Sequence, residues 1–419
     1  MKLLTSAATA ALFVLVVPQV VNAQDLGSNF RRDRNVTVRD RPRPDYEAKG
    51  IKSGGFTVYP RVTGSVERND NIYATSVAEK DDTIWRVKPE VAVRSNWSRH
   101  ALNAYASATI NRYADFDTEN TEEYTIGIDG RADIVRGSNL TGAVQYQKLT
   151  EPRTSPTSPL AAATPVEYSL VTARLVGIKE FNRVRLTARL NDRDYNYDDT
   201  RNIAGGVLDQ DVRDRNEIYY GLKAEYAVSP DTAVFGSILG NTKNYDLATS
   251  GRDSDGYAAT VGANFEISHV LRGEIEVGYM DQSYDLPIYD DINGLSTKAE
   301  VEWFPTQLTT VTFDGSRTIE EAVATGSQGY ISNNVSAAVD HELLRNVLLS
   351  AQASYGKDDY QSIDRNDKRT GAGASVTYLL NRNVGVVFAY TYLKQDSSGA
   401  QRGSSFTDNK LAASIALQF

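Results

Sequence analysis

The chain has 419 residues, no cysteine and a formal net charge of −9. The acidic balance argues against a general nucleic-acid binder, and the missing cysteines exclude a disulfide framework and thiolate chemistry. Twenty-four tyrosines against 12 Phe and 3 Trp suit surfaces where an apolar ring body ends in a wet polar tip.

Residues 1–23 begin with Lys2, continue through an apolar stretch from Ala7 to Val21 and close on Val21-Asn22-Ala23. That order predicts a signal peptide cleaved before Gln24, and so secretion across the inner membrane. The competing reading is a membrane anchor, but the stretch is short of the ~20 residues a spanning helix needs, and Pro18 interrupts it. No other apolar stretch reaches that length, so a membrane protein of this sequence has to be a barrel.

Residues 24–54 are rich in Arg, Pro and Gly, with eight Lys and Arg against five acids. The segment is therefore +3, and residues 55–419 carry −13 once Lys2 is set aside. The composition predicts a disordered periplasmic segment, a solvated tether. The alternative is a docking arm for an anionic polymer or a periplasmic partner.

From Phe56 onward, stretches of about ten to fourteen residues alternate apolar with polar. Trp85, Val87, Pro89, Val91 and Val93 alternate with Arg86, Lys88, Glu90 and Arg94. Val184, Leu186, Ala188 and Leu190 alternate with Arg185, Thr187, Arg189 and Asn191. The last such stretch ends the chain, with Leu411, Ala413, Ile415, Leu417 and Phe419 on one face. The faces of the stretches near 166–178 and 232–240 are ambiguous.

About eighteen stretches are expected, joined alternately by long polar connections (192–214 and 317–330 among them) and short turns near Ser98, Gly137, Asn182 and Pro230. Strict segregation of loop length suits an outer-membrane barrel with short periplasmic turns. Charges deep within the strands cannot sit in a dry core, where each costs several kcal/mol unpaired. The predicted fold is an all-β transmembrane antiparallel barrel over residues 55–419, with its apolar face to lipid and its charged face to a wet lumen.

Two stretches carry a family resemblance. VRDRPRPDYEAKGIKSGGFTVYP followed by ERNDNIYAT, and RDSDGYAATVGANFEISHVLRGEIEVGYMDQSYD, resemble the β-barrel porin type 2 family. The matching positions of the first include Arg41, Arg43, Pro44, Tyr46, Gly55, Phe56, Tyr59, Pro60, Asp70, Asn71 and Tyr73. The resemblance implies an outer-membrane barrel in a Gram-negative cell, surrounded by lipid and lipopolysaccharide. It also implies, for some members, a place beside periplasmic polysaccharide-export components. The terminal Phe419 resembles the signal read by the barrel assembly machinery.

The candidate pore lining has two signs. Arg86, Lys88, Arg94, Arg131, Arg185, Arg189 and Arg193 make the early wall basic, and Glu266, Glu274, Glu276, Glu300 and Glu302 make the tenth to twelfth strands acidic. Opposed walls of unlike sign would set a transverse field on passing solutes; the alternative is cross-strand ion pairs that stiffen the barrel. The acidic outer loops read either as solvated surface or as divalent-cation sites shared with lipid phosphates, but none has a calcium-loop spacing. His100, His269 and His341 lie near short turns with no nucleophile elbow or metal spacing, so no catalytic, cofactor or metal site is expected. The leading function is passage of hydrophilic solute, with an exported polysaccharide among the candidates. The alternative is a plugged structural or adhesive barrel acting through its loops; bilayer conductance separates the two.

Overall fold

A computed structural model describes residues 35–159, 161–324 and 326–419. The expected signal peptide, residues 1–23, and residues 24–34 lie outside the described residues. The strands are β1 (Phe56–Asn69), β2 (Asp82–Ser95), β3 (Ala101–Tyr113), β4 (Thr121–Val135), β5 (Ser138–Thr150), β6 (Glu167–Phe181), β7 (Val184–Tyr197), β8 (Arg215–Ser229) and β9 (Thr232–Tyr245). They continue as β10 (Ser254–Ile267), β11 (Leu271–Tyr284), β12 (Ile292–Thr306), β13 (Thr309–Glu321), β14 (Gly329–Leu344), β15 (Val347–Tyr360), β16 (Asn366–Leu379), β17 (Val384–Ser398) and β18 (Phe406–Gln418). Each pairs antiparallel with its sequence neighbours.

Closure comes from β1 against β18, in register from Arg61↔Gln418 to Asn69↔Lys410. The C-terminal strand therefore has a partner on both edges, which is why a period-two pattern persists to the last residue. Below the end of β18, the short strand Ile51–Ser53 pairs with the start of β1 and covers the rest of that edge. No helix among the described residues is long and apolar enough to cross a membrane.

The two faces separate as period two requires. Trp85, Ile126, Leu190, Val261, Val335 and Ile415 point outward and are exposed. Toward the long-loop end, Tyr124, Tyr220, Tyr257, Tyr279 and Tyr355 ring the outside; toward the short-turn end stand Tyr226, Trp303, Phe313, Tyr378 and Phe388. Two aromatic girdles bounding an aliphatic band are the signature of a lipid-facing barrel surface. The two ambiguous stretches resolve into β6 and β9, whose inward faces hold Arg174 and Lys243.

Three sequence expectations change. Residues 35–46, read as part of a solvated tether, are folded against the inner wall at the short-turn end. Within 317–330, β13 extends to Glu321 and β14 begins at Gly329, and the tip turns inward rather than standing outside. The acidic stretches 192–197 and 357–360 are strand, not loop; the strands overrun the apolar band before turning.

Candidate functional site: the lumen

All twelve candidate lining residues sit at inward-facing positions of their strands, since Pro89, Ile126, Leu190, Tyr257, Val277 and Val301 alternate with them on the outward face. Many are already engaged. Arg86 Nε donates to Asn111 Oδ1 at 2.6 Å and its Nη1 lies 3.6 Å from Glu67. Lys88 pairs with Glu90 at 2.9 Å, and Arg131 with Asp133 at 3.1 Å. Arg185 Nε donates to Glu180 at 2.9 Å, and Arg94 lies 5.3 Å above the Tyr59 ring.

On the acidic side Glu274 pairs with Lys223 at 2.8 Å, Glu276 accepts from Thr260 Oγ1 at 3.1 Å, and Glu302 pairs with Arg272. Glu300 lies in register between Glu274 and Asp314, and Glu266 is buried. Local pairing cancels much of the field that two bare walls would set. Arg189 and Arg193 are the members of the set that line the main cavity.

The network around Lys223 is structural. Its side chain is 2% exposed, contacts Glu274 and Glu225 at 2.8 and 3.9 Å, and lies 3.9 Å from the centre of the Phe235 ring. Lys223→Ala should lower barrel stability by about 2–3 kcal/mol, because buried Glu225 and half-buried Glu274 lose their shared cation. The denaturant midpoint of the heat-modifiable band, read in detergent, checks this.

The lumen is narrowed by the tip of the β13–β14 hairpin. Ile319 and Ile331 seat it in an apolar patch made by Leu239, Met280, Tyr284 and Ile292 from β9, β11 and β12. Glu321 then pairs with Lys243 and accepts from the Tyr245 hydroxyl at 2.8 Å, and Arg252 Nη1 donates to the Ala322 carbonyl at 2.9 Å. The hairpin reaches across β10–β12 to the β9 wall, an inward loop held by a greasy seat and a charged clasp.

Beside this hairpin lies a cavity of about 730 Å³, bounded by β3–β9 on one side and residues 319–323 on the other. Its wall is ordered by register. Leu170, Tyr195, Arg215 and Tyr245 lie side by side across β6–β9; below them come Thr172, Arg193, Glu217 and Lys243, then Arg174, Asn191, Tyr219 and Asn241. Above, the Tyr168 and Tyr197 rings stack with centroids 4.9 Å apart. Arg215 lies 4.2 Å from the Tyr195 centroid and Arg193 5.6 Å from that of Tyr219. On the β3–β4 side the Tyr105 ring lies where a Cβ at position 127 would come within 2.4 Å of it, so a side chain at Gly127 would displace that ring. Sequence reading missed the tyrosines, Arg174, Arg213, Arg215 and Lys243.

Outer loops roof this side. Arg153 forks onto Glu119 at 2.7 and 3.0 Å, and Arg213 onto Glu151 at 2.8 and 3.1 Å, while lying 4.0 Å above the Tyr197 ring. Burial alone would lower the Arg213 pKa, but the Glu151 carboxylate holds it above the ordinary guanidinium value. Farther out, Asp199, Asp209 and Asp211 bring exposed carboxylate oxygens within 4.8 Å of one another. Asp199 and Asp209 already accept backbone N–H groups at 2.8 and 2.9 Å.

At the opposite end, residues 35–46 run along the inner rim. Val38 N donates to Thr310 Oγ1 at 3.0 Å, Arg39 pairs with Asp340 at 2.8 Å, and Arg345 and Arg382 donate to the Pro42 and Pro44 carbonyls at 2.7 and 2.9 Å. Arg43 is 1% exposed and pairs with Glu342, 5% exposed, at 2.9 Å. Burial pulls the Arg43 pKa down, and the Glu342 carboxylate works against that pull.

Among solved structures, the barrel is similar to Acinetobacter baumannii OccAB3 (14% identity, TM-score 0.47, covering 88% of this chain and 100% of that one). It is also similar to A. baumannii OccAB4 (13%, 0.48, 90% and 100%) and Pseudomonas aeruginosa OpdL (10%, 0.46, 88% and 100%). No curated protein matches the chain. The family model described as Putative beta-barrel porin 2 spans residues 43–419, the whole of the barrel and the arm from Arg43 onward. The fold is thus a porin-like outer-membrane β-barrel, and the chain belongs to the Putative beta-barrel porin 2 family.

Proposed function

We propose that the protein is a passive outer-membrane conduit for small hydrophilic solutes. The observation that carries this reading is the polar cavity of about 730 Å³ between the β3–β9 wall and the inward hairpin, inside a barrel whose outer surface is apolar. Water in such a lumen solvates ions and sugars while the walls exclude lipid. Passage needs no turnover chemistry. In this reading residues 1–23 direct secretion and are removed, residues 24–54 form a periplasmic segment, and Phe419 serves the assembly machinery.

Purified mature protein, with Gln24 as the first residue by mass spectrometry, should form discrete ion-conducting steps in planar bilayers and admit arabinose in liposome swelling. A silent, sugar-tight barrel would favour the second reading, a plugged surface protein. The observation on that side is the roof of loops tied by the Glu119–Arg153 and Glu151–Arg213 pairs. Threading of an exported polysaccharide is a narrower form of the conduit reading, supported by the stacked tyrosines of the wall and by the resemblance noted from sequence. Both the arm and the hairpin would have to move aside for a polymer to pass.

A further inference from the structure

We propose that the β6–β9 wall of the cavity is a recognition site for a sugar acid, that is, a polyhydroxylated ring carrying one carboxylate. This deepens the conduit reading and rests on it. Most cations that line the cavity already have partners. Arg213, Arg215 and Lys243 each have their own carboxylate, in Glu151, Glu217 and Glu321. Their work is to hold the loop, the wall and the hairpin in place. Among the described residues, Arg174 forms no ion pair, and it is exposed on the inward face at the cavity floor. A guanidinium offering a planar fork to the lumen matches a carboxylate better than any neutral group.

The surroundings of Arg174 narrow the class. Asn191 lies beside it in register, and Gln145 and Gln147 stand on the adjoining inward face of β5. Gln145 accepts from the Tyr105 hydroxyl at 2.6 Å, which leaves its amide donors available in that pair. These neutral groups suit ring hydroxyls, which both donate and accept. The Tyr219 ring in the same row and the Tyr195 ring two rows above suit the C–H faces of a sugar ring. Glu217 on the wall itself, Asp129 two strands from Arg174 in its row, and Glu320 and Glu321 on the hairpin opposite contribute negative charge, which penalises a dianionic phosphate more than a monoanion. An apolar acid would leave the amides without partners, a loss that discriminates strongly against it.

The experiment reads block of single-channel potassium chloride current by added glucuronate, glucose and benzoate, in the wild type and in Arg174→Gln. Glucuronate should block at about tenfold lower concentration than either of the others. Arg174→Gln should remove that advantage while leaving block by glucose where it was. Equal block by glucuronate and glucose, or an Arg174→Gln channel that keeps the preference, would overturn the site. Benzoate acting as strongly as glucuronate would overturn the sugar ring. Should the barrel prove silent, the conduit reading falls on its own. Equilibrium dialysis of radiolabelled glucuronate against detergent-solubilised wild type and Arg174→Gln then decides the site: retention by the wild type alone supports it, and no retention overturns it.

Discussion

Ile319→Glu should open the channel. Ile319 sits with Ile331 in a seat formed by Leu239, Met280, Tyr284 and Ile292, and a carboxylate there would be buried without a cation in the patch. Forcing it to stay would cost roughly 3 kcal/mol or more, enough to shift the inward-to-outward balance of the hairpin tip about a hundredfold. Glu321 would then leave Lys243, and Arg252 would lose the Ala322 carbonyl. The expected result is a larger unitary conductance in planar bilayers with the same barrel stability by heat modifiability. Ile319→Leu keeps the volume and apolar character and should conduct like the wild type. An Ile319→Glu barrel with unchanged conductance would mean that the hairpin does not set the narrowest point.

The barrel was legible because lipid imposes one rule on every strand. Wherever the chain crosses hydrocarbon, alternate residues must be apolar, and that pattern survives without knowledge of any contact. The rule stops at the edge of the membrane, and reading from sequence failed at that same edge. Residues 192–197 look like an acidic loop, yet Arg193, Tyr195 and Tyr197 keep the inward parity of Arg189 and Asn191 and supply much of the cavity wall. What changed was the outward face, where Asp192, Asp194 and Asn196 replaced Leu190 once lipid was left behind. An alternation of rings and cations against acids was the available signal.

The inward hairpin left a fainter trace. Ile319 and Ile331 are apolar residues at the ends of a stretch read as polar and external, and their seat comes from strands 27 to 92 residues distant in sequence. The arm is the extreme case. Its composition is that of a disordered tether, and nothing local distinguishes Arg43 from Arg41. Burial is decided by Glu342, 299 residues away. A charge-rich segment can be ordered when the opposite charges wait on a preformed wall, and composition alone does not register the wall.

Arg43→Met should release the arm. Glu342 would keep only its outer contacts, Arg41 at 3.3 Å and Arg345 at 3.5 Å. The Val38 carbonyl would also lose its donor, now at 2.7 Å. Breaking a pair this buried costs about 3 kcal/mol, because the remaining carboxylate sits near the wall with less compensation. That loss falls on the arm rather than on the strands, whose ladders do not depend on it. The arm's open population should rise roughly a hundredfold, and trypsin cleavage after Arg39 should rise with it, since proteolysis follows the open fraction when reclosing is fast. The barrel should still migrate as a folded species. Pairing the change with Glu342→Leu tests the cause: the double variant removes the stranded charge, so it should be less destabilised than the sum of the single changes. Strict additivity, or a wild-type arm cut as fast as that of Arg43→Met, would show that the Arg43–Glu342 pair does not hold the arm in the mouth.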